Sequence, residues 1–212
     1  MSPQNTRSYF SQEAALKLLP DRLNNGNKGT YGHVVIVGGC DQYIGAPIMA
    51  GLAAYRSGCG LVELFTPTIV RTCAGGCFQE AIWNCFNPLT NVPEQLMTAA
   101  RNASVLVIGP GIGQSEPVKK FLPECFLELQ KADRRIPMII DADALNILSV
   151  LRNWYEILPE NCVLTPHPGE MARLTGKSIT QIQSDRENLT ISYAERWGKV
   201  VLLKGAHTII SD

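Results

Sequence analysis

The sequence has neither an excess of one charge nor a long apolar run, and these absences exclude several classes of protein. Its 212 residues include 19 basic and 19 acidic side chains. Binding to nucleic-acid phosphates usually requires a basic excess, so we predict no nucleic-acid partner. No apolar stretch approaches the roughly 18 residues that span a bilayer, and the N-terminus lacks the apolar core of a signal peptide. We therefore expect a cytoplasmic protein with no membrane association.

Cysteine motifs are equally scarce. The seven cysteines are an odd number and form no CxxC pair, which argues against a disulfide framework and against a zinc site. Cys73 and Cys77 have the spacing of two ligands on one helix face, although two buried small side chains explain them better. We expect free thiols and no metal held by the protein itself.

What the sequence does contain is a repeated order of apolar strand, glycine turn and helix. The predicted strands lie at 33–39, 61–67, 81–86, within 103–113, at 136–141, from 162, and in a terminal hairpin at 199–212. Three predicted helices lie at 45–58, 115–132 and 178–197. A fourth begins near Asp143, and a fifth ends at Gly176. This alternation predicts an α/β fold with a mostly parallel central sheet, in one domain covering residues 1–212.

Unusual residues follow five of the predicted strands. The segments are GGCDQYIGAP, GPGIG, DADALN, TPHPGE and KGAHT. Ligands of open α/β sheets bind beyond the carboxyl ends of the strands. One such segment means little, but five at the same predicted edge indicate a binding site.

Two of these segments suggest ligand contacts but also have structural explanations. The glycines of GPGIG (109–113) allow a ligand to approach the backbone, yet the segment is neither GxGxxG nor a Walker A loop. A tight turn fixed by Pro110 is the alternative. The carboxylates of Asp141 and Asp143 would lie on one side of an extended chain, where they suit a metal, a hydroxyl or proton transfer. The alternative is that Asp143 caps the following helix.

Two further residues suit an anionic or polar substrate. His167 lies between two prolines, which restrict the backbone and would aim the imidazole, with Glu170 behind it at a helix start. A loop histidine without function is the alternative. Lys204 follows an apolar run and precedes Gly205, so its ammonium would emerge at a strand end and suit phosphate. A surface lysine of the hairpin is the alternative.

Together, the segments KGTYGHVVIVGG, GAP, VIGPGIG, DADALN, LTPHPGE and VVLLKGAHT resemble the ADP/ATP-dependent NAD(P)H-hydrate dehydratases, in family order from about Lys28 to Asp212. The resemblance implies a ribokinase-like fold with helices on both faces of the sheet. It implies repair of damaged NADH and NADPH, in which a nucleotide drives the removal of water from the S epimer of the hydrate (NADHX or NADPHX). ADP is favoured over ATP as that nucleotide, and Mg²⁺ is expected with it.

The resemblance also implies roles for individual residues. Those expected at the hydrated cofactor are Ala46, Gly113 and His167. Those expected at the nucleotide are Lys204, Gly205, Ala206, His207 and Thr208. Those expected to line the site are Gly109, Gly111, Asp141, Asp143, Asn146 and Glu170. A homo-oligomer is expected, and a separate epimerase acting in the same pathway, since the segment before His33 leaves no room for the epimerase domain.

The resemblance leaves one part of the chemistry unassigned. In the family, a later GTGD-type stretch supplies helix amides for the phosphoryl group and an aspartate as base, and this sequence contains no such stretch. We therefore expect the 212 residues to be incomplete at the C-terminus relative to the family, and to bind weakly or turn over slowly. Two other functions remain open: a ribokinase-like kinase of a vitamin precursor or small alcohol, and a nucleotide-binding module without catalysis.

Overall fold

The structure, a computed structural model, describes residues 11–212. Its strands are β1 (His33–Val37), β2 (Leu61–Pro67), β3 (Ile82–Phe86), β4 (Val105–Ile108), β5 (Met138–Ile140), β6 (Cys162–Leu164), β7 (Val200–Leu203) and β8 (Ile209–Ser211). They form a single sheet in the order β3-β2-β1-β4-β5-β6-β7-β8. Every neighbouring pair is parallel except β7 and β8, which form an antiparallel hairpin. The predicted mostly parallel sheet and terminal hairpin are confirmed.

One helix precedes the first strand and the others connect the parallel strands. They are α1 (Gln12–Lys17), which precedes β1, and α2 (Gly45–Arg56), α3 (Thr68–Ala74), α4 (Val92–Ala100), α5 (Glu116–Lys131), α6 (Asp143–Leu148), α7 (Pro168–Thr175), α8 (Ile179–Ser184) and α9 (Arg186–Trp197). Short 3₁₀ turns cover Lys28–Tyr31, Gly75–Cys77 and Trp154–Ile157. Within residues 11–212, no helix is both long and apolar enough to cross a membrane.

The apolar core lies on both faces of the sheet. Val35, Ile36 and Val37 in β1 are fully buried, which confirms that this strand is covered on both sides. Val35 and Val37 belong to the larger core cluster, which α4 and α5 cover. Ile36 belongs to a smaller cluster on the other face, against α2. The predicted placement of helices on both faces is therefore confirmed.

The sheet order brings the five unusual segments together. They follow β1, β4, β5, β6 and β7, which are consecutive neighbours in the sheet. Because these strands are parallel, their carboxyl ends meet at one edge, which we call the ligand edge. The five segments thus form a continuous row, although the chain visits them over more than 160 residues, from Gly38 to Thr208.

Three details of the prediction are wrong. The helix expected at 178–197 is two helices, because Asp185 takes φ −146° and ψ 54° between α8 and α9. Cys73 and Cys77 are exposed rather than buried, because Cys73 lies on the outer side of α3 and Cys77 at the end of the 3₁₀ turn that follows it. Finally, α1, α3 and α4 were not predicted.

Candidate functional site

The glycine loop after β4 packs directly on its neighbours at the ligand edge. Gly109, Gly111 and Gly113 all have positive φ, at 121°, 62° and 76°. A methyl group on Gly109 would collide with the carbonyl oxygen of Asp141, and one on Gly111 would lie 2.7 Å from the methyl group of Ala46. The glycines are therefore required by the packing of the strand-end segments. They also bring Ala46 next to the loop.

Asp143 holds the glycine loop instead of capping a helix. Its Oδ2 accepts a hydrogen bond from the Gly113 amide at 3.0 Å, and its Oδ1 accepts one from Gln114 Nε2 at 2.9 Å. Asp143 is the first residue of α6, whose N-cap, Ala142, makes no side-chain hydrogen bond. The capping alternative is wrong, because the carboxylate turns away from the helix toward the neighbouring loop.

The two aspartates do not share the arrangement expected of an extended chain. Ala142 between them has φ 52° and ψ −123°. Asp141 Oδ1 accepts a hydrogen bond from Lys204 Nζ at 2.6 Å, so its partner lies toward β7. Among residues 11–212, no group of three or more histidine, cysteine, aspartate or glutamate side chains is placed to hold a metal ion.

Lys204, at the end of β7, contacts the segments that follow β5 and β6. Its ammonium contacts Asp141 after β5, and lies 3.8 Å from Oε2 of Glu170, which is only 4% exposed. Its own amide donates to the carbonyl oxygen of Pro166 at 2.9 Å, after β6. A buried carboxylate requires such a partner. Lys204 therefore serves the packing of the edge as well as any ligand, and it is not the unpaired surface lysine of the alternative.

His167 caps α7. Its Nδ1 accepts hydrogen bonds from the amides of Gly169 at 2.9 Å and Glu170 at 3.4 Å, while the Glu170 carboxylate accepts from the His167 amide at 2.8 Å. This reciprocal pair is a capping box in which a histidine takes the usual place of serine or threonine. The hydrogen bonds assign the ring proton to Nε2. That nitrogen belongs to a half-exposed side chain at the ligand edge.

Asn146, expected to line the site, accepts a hydrogen bond from Arg173 Nε at 2.8 Å, which links α6 to α7. The structure thus gives protein partners to every polar side chain predicted between β4 and β7. The residues predicted for the site do lie along one edge, where they contact each other and neighbouring residues such as Gln114 and Arg173.

A cavity of about 700 Å³ opens at the ends of β1 to β4. Its lining includes Cys40 and Gln42 after β1, Asn87 after β3, and Gly113 and Gln114 of the glycine loop. This volume lies in the range of pockets that bind small organic ligands. Gly113 is the one residue predicted for the site that lines it. Cys40 and Gln42 lie in the GGCDQYIGAP segment that indicated the edge, although neither was singled out, whereas Asn87 and Gln114 lie outside the five segments and had no such signal.

The hairpin loop between β7 and β8 lies at the other end of the ligand edge. Gly205, Ala206, His207 and Thr208 are exposed. Arg186 of α9 donates hydrogen bonds from Nη2 to the carbonyl oxygens of Leu203, Lys204 and His207, at 3.0 to 3.2 Å. Sequence reasoning missed Arg186 because it lies within what looked like an uninterrupted helix.

Known proteins resemble this chain along most of its length. A family model described as NAD(P)H-hydrate dehydratase matches residues 34–212. The bifunctional NAD(P)H-hydrate repair enzyme Nnr of Escherichia coli is 38% identical over an alignment of 212 residues that covers 95% of this chain and 36% of that protein. The ADP-dependent (S)-NAD(P)H-hydrate dehydratase of Bacillus subtilis is 31% identical over 208 residues, 96% of this chain and 68% of that one. The chain thus spans little more than a third of the length of the bifunctional relative.

Solved structures of similar proteins have the same fold as this chain. The ADP/ATP-dependent NAD(P)H-hydrate dehydratase of B. subtilis, co-crystallised with ATP/Mg²⁺, superposes with a TM-score of 0.76 at 30% identity, covering 96% of this chain and 68% of that one. A ribokinase-like superfamily protein of Enterococcus faecalis V583 superposes with a TM-score of 0.75 at 25% identity, covering 97% and 70%. The predicted ribokinase-like architecture is confirmed.

Proposed function

The chain belongs to the NAD(P)H-hydrate dehydratase family, and from that premise we propose that it takes part in the nucleotide-dependent dehydration of S-NAD(P)H hydrate to NAD(P)H. The observation that carries the proposal is the row of strand-end segments at the ligand edge, with a cavity at one end and an exposed hairpin loop at the other. These two places suit the two reactants that such a reaction requires.

The hydrate belongs at the cavity end in this proposal. The cavity is large enough for the nicotinamide half of the cofactor, and Gly113 on its wall lets that ligand approach the backbone. Ala46 lies behind Gly111 of the same loop. His167 lies farther along the edge on a half-exposed side chain, with Nδ1 engaged with α7 and Nε2 3.4 Å from Oε1 of Glu170, so a ligand there would share the imidazole with that carboxylate.

The nucleotide belongs at the hairpin end. The backbone amides of residues 205–208 donate no hydrogen bond to any other part of residues 11–212, and successive free amides form a site for anions. Lys204 adds positive charge, although Asp141 and Glu170 already compensate it. Mg²⁺ usually binds through one or two carboxylates and the phosphates of a substrate, so in this proposal it arrives with the nucleotide.

The proposed chemistry follows from the poor leaving ability of hydroxide. Transfer of the terminal phosphoryl group of ADP or ATP to the hydroxyl of the hydrate forms a phosphate ester, releases the hydroxyl proton and leaves AMP or ADP. The ring nitrogen then expels phosphate, and loss of a proton from the adjacent ring carbon restores the dihydropyridine. The protein's task is to align the two reactants and to stabilise the charge that develops on the phosphoryl group.

The test is an assay of the purified chain with S-hydrate, Mg²⁺, and ADP or ATP in turn. We expect absorbance to recover at the reduced-nicotinamide band only when a nucleotide is present. The R epimer is the matched control, because it has the same ring and hydroxyl with the wrong stereochemistry.

Binding of each reactant separates the outcomes. Binding of S-hydrate and nucleotide supports the proposal even where turnover is slow. Nucleotide binding without hydrate binding would indicate a kinase of another alcohol or a non-catalytic module, and would contradict the proposal.

A further inference from the structure

Arg186 occupies a position that the stability of its helix does not explain. It is the first residue of α9, directly after the break at Asp185. A positive charge at a helix N-terminus is disfavoured by the helix dipole. The side chain is partly buried, and its guanidinium reaches the hairpin loop between β7 and β8.

The contacts of Arg186 fix both arms of that loop. Nη2 donates to the carbonyl oxygens of Leu203 at 3.1 Å and Lys204 at 3.2 Å on the β7 arm, and to that of His207 at 3.0 Å on the β8 arm. Nη1 donates to Oε1 of Gln183 at 3.1 Å. This hydrogen bond ties the guanidinium to α8, in which Gln183 lies. One side chain therefore closes the loop.

These contacts decide where two amide groups point. A trans peptide directs its N–H opposite to its C=O. The Lys204 and His207 carbonyls face the guanidinium, so the amides of Gly205 and Thr208 face away from it. Neither amide has an acceptor elsewhere in the described part of the chain. Two hydrogen-bond donors are thus held ready at the ligand edge.

We infer that Arg186 is a positioning residue for nucleotide binding, which fixes the Gly205 and Thr208 amides in the orientation that receives a phosphate group. This inference rests on the proposed function, since it takes the nucleotide as the ligand of the loop. A fixed loop has less conformational entropy to lose on binding, and affinity rises for that reason. Arg186 acts through the backbone and needs no contact with the nucleotide itself.

The loop is also built to admit the guanidinium. A methyl group on Gly205 would lie 2.6 Å from Nη2 of Arg186, so a glycine is required for the arginine to reach the carbonyls. We expect lysine not to replace arginine here, because a single ammonium cannot bond both arms of the loop through one nitrogen while a second nitrogen bonds Gln183.

The test compares nucleotide binding by the full chain and its variants, by calorimetric titration of Mg²⁺–ADP and Mg²⁺–ATP. We expect Arg186→Met to weaken nucleotide binding about tenfold and to leave binding of S-hydrate unchanged. Arg186→Lys should be nearly as weak, since it keeps the charge but loses the fork. Arg196→Met is the matched control, because it removes the same charge from the exposed side of the same helix.

Two further measurements keep the test decisive. Amide hydrogen exchange at residues 205–208 of the free protein should become faster in Arg186→Met and stay unchanged in Arg196→Met. Gly205→Ala displaces the guanidinium without removing it, so its effect on nucleotide affinity should not add to that of Arg186→Met.

Each outcome has a distinct meaning. If the wild-type chain binds nucleotide and Arg186→Met binds it equally well, the inference is wrong and the proposed function stands. If Arg186→Lys binds like the wild type, Arg186 acts by charge and the inference is also wrong. If the wild-type chain binds neither nucleotide, the proposed function fails and the inference fails with it.

Discussion

At the scale of single residues, the side chains at the ligand edge have structural partners as well as proposed ligands. His167 caps a helix, Asp143 holds the glycine loop and Lys204 compensates two carboxylates. Replacing any of them with alanine would change stability and binding together. Informative variants must therefore preserve the structural contact and remove only the group offered to the ligand.

His167 allows such a separation. His167→Ala loses the acceptor for two helix amides, and we expect it to lower the free energy of unfolding by about 1 kcal/mol. His167→Asn keeps a capping oxygen, so its stability should stay close to that of the wild type. If the imidazole contacts the hydrate, both variants should weaken S-hydrate binding equally. Urea unfolding and hydrate titration measure the two effects, and full hydrate affinity in His167→Asn would remove the imidazole from the site.

Lys204 gives a second prediction. Lys204→Gln removes the positive charge near Asp141 and the buried Glu170, and we expect it to raise the nucleotide dissociation constant about tenfold, on the scale of one charge-assisted contact. Stability should also fall, because Glu170 loses a partner. Lys177→Gln serves as a charge-matched control away from the loop. Unchanged nucleotide affinity in Lys204→Gln would restrict Lys204 to its structural role.

The buried thiol of Cys125 should make the stability of the protein depend on pH in alkaline solution. Burial raises the pKa of Cys125 from 9.0 to about 12. Above pH 9 the unfolded thiol loses a proton that the folded thiol keeps, so the free energy of unfolding falls as the pH rises toward 12. The slope from this group is about 1.4 kcal/mol per pH unit. Unfolding of Cys125→Ala between pH 9 and 11 should lack this part of the slope, whereas Cys73→Ala, at an exposed position, should retain it.

At the scale of elements, the strands were predictable and several helices were not. Apolar β-branched runs ending in glycine or aspartate identify β1, β4 and β5, because strands buried in a parallel sheet need such residues. The same composition concealed α3, whose Thr68-Ile69-Val70 start resembles a strand. The break before α9 could not be predicted from helix propensity, since Asp185 is tolerated in helices.

The candidate site was predictable as a set of segments but not as a set of contacts. Five motifs ending neighbouring strands indicated the edge. Which side chain meets which loop depends on the sheet order, and residues 113 and 143, or 141 and 204, become neighbours only in the folded sheet. The capping box of His167 was missed because histidine seldom occupies that position.

The contact between Asp143 and the glycine loop is an element-scale prediction. Asp143→Asn keeps one acceptor oxygen but loses the charge that strengthens both hydrogen bonds, and Asp143→Ala loses both. We expect S-hydrate affinity to fall in the order wild type, Asn, Ala, with nucleotide affinity unchanged, because the loop borders only the cavity end. Equal hydrate affinity in all three proteins would mean that the loop needs no such support.

At the scale of the whole molecule, the parallel sheet explains why two reactants can meet. All seven parallel strands end at one edge, so a cavity at β1 to β4 and a loop after β7 are joined by the segments of β5 and β6. Lys204, Asp141 and Glu170 span that middle part. The central claim is that the hydrate binds at one end of this edge and the nucleotide at the other.

Hydrogen exchange with each ligand added separately tests this division most directly. With Mg²⁺–ADP or Mg²⁺–ATP, we expect slower amide exchange at residues 205–208 and little change at 111–114. With S-hydrate, we expect slower exchange at 111–114 and little change at 205–208. Protection of the same segment by both ligands, or protection of neither segment by its ligand, would show that the two reactants do not bind at opposite ends of the ligand edge.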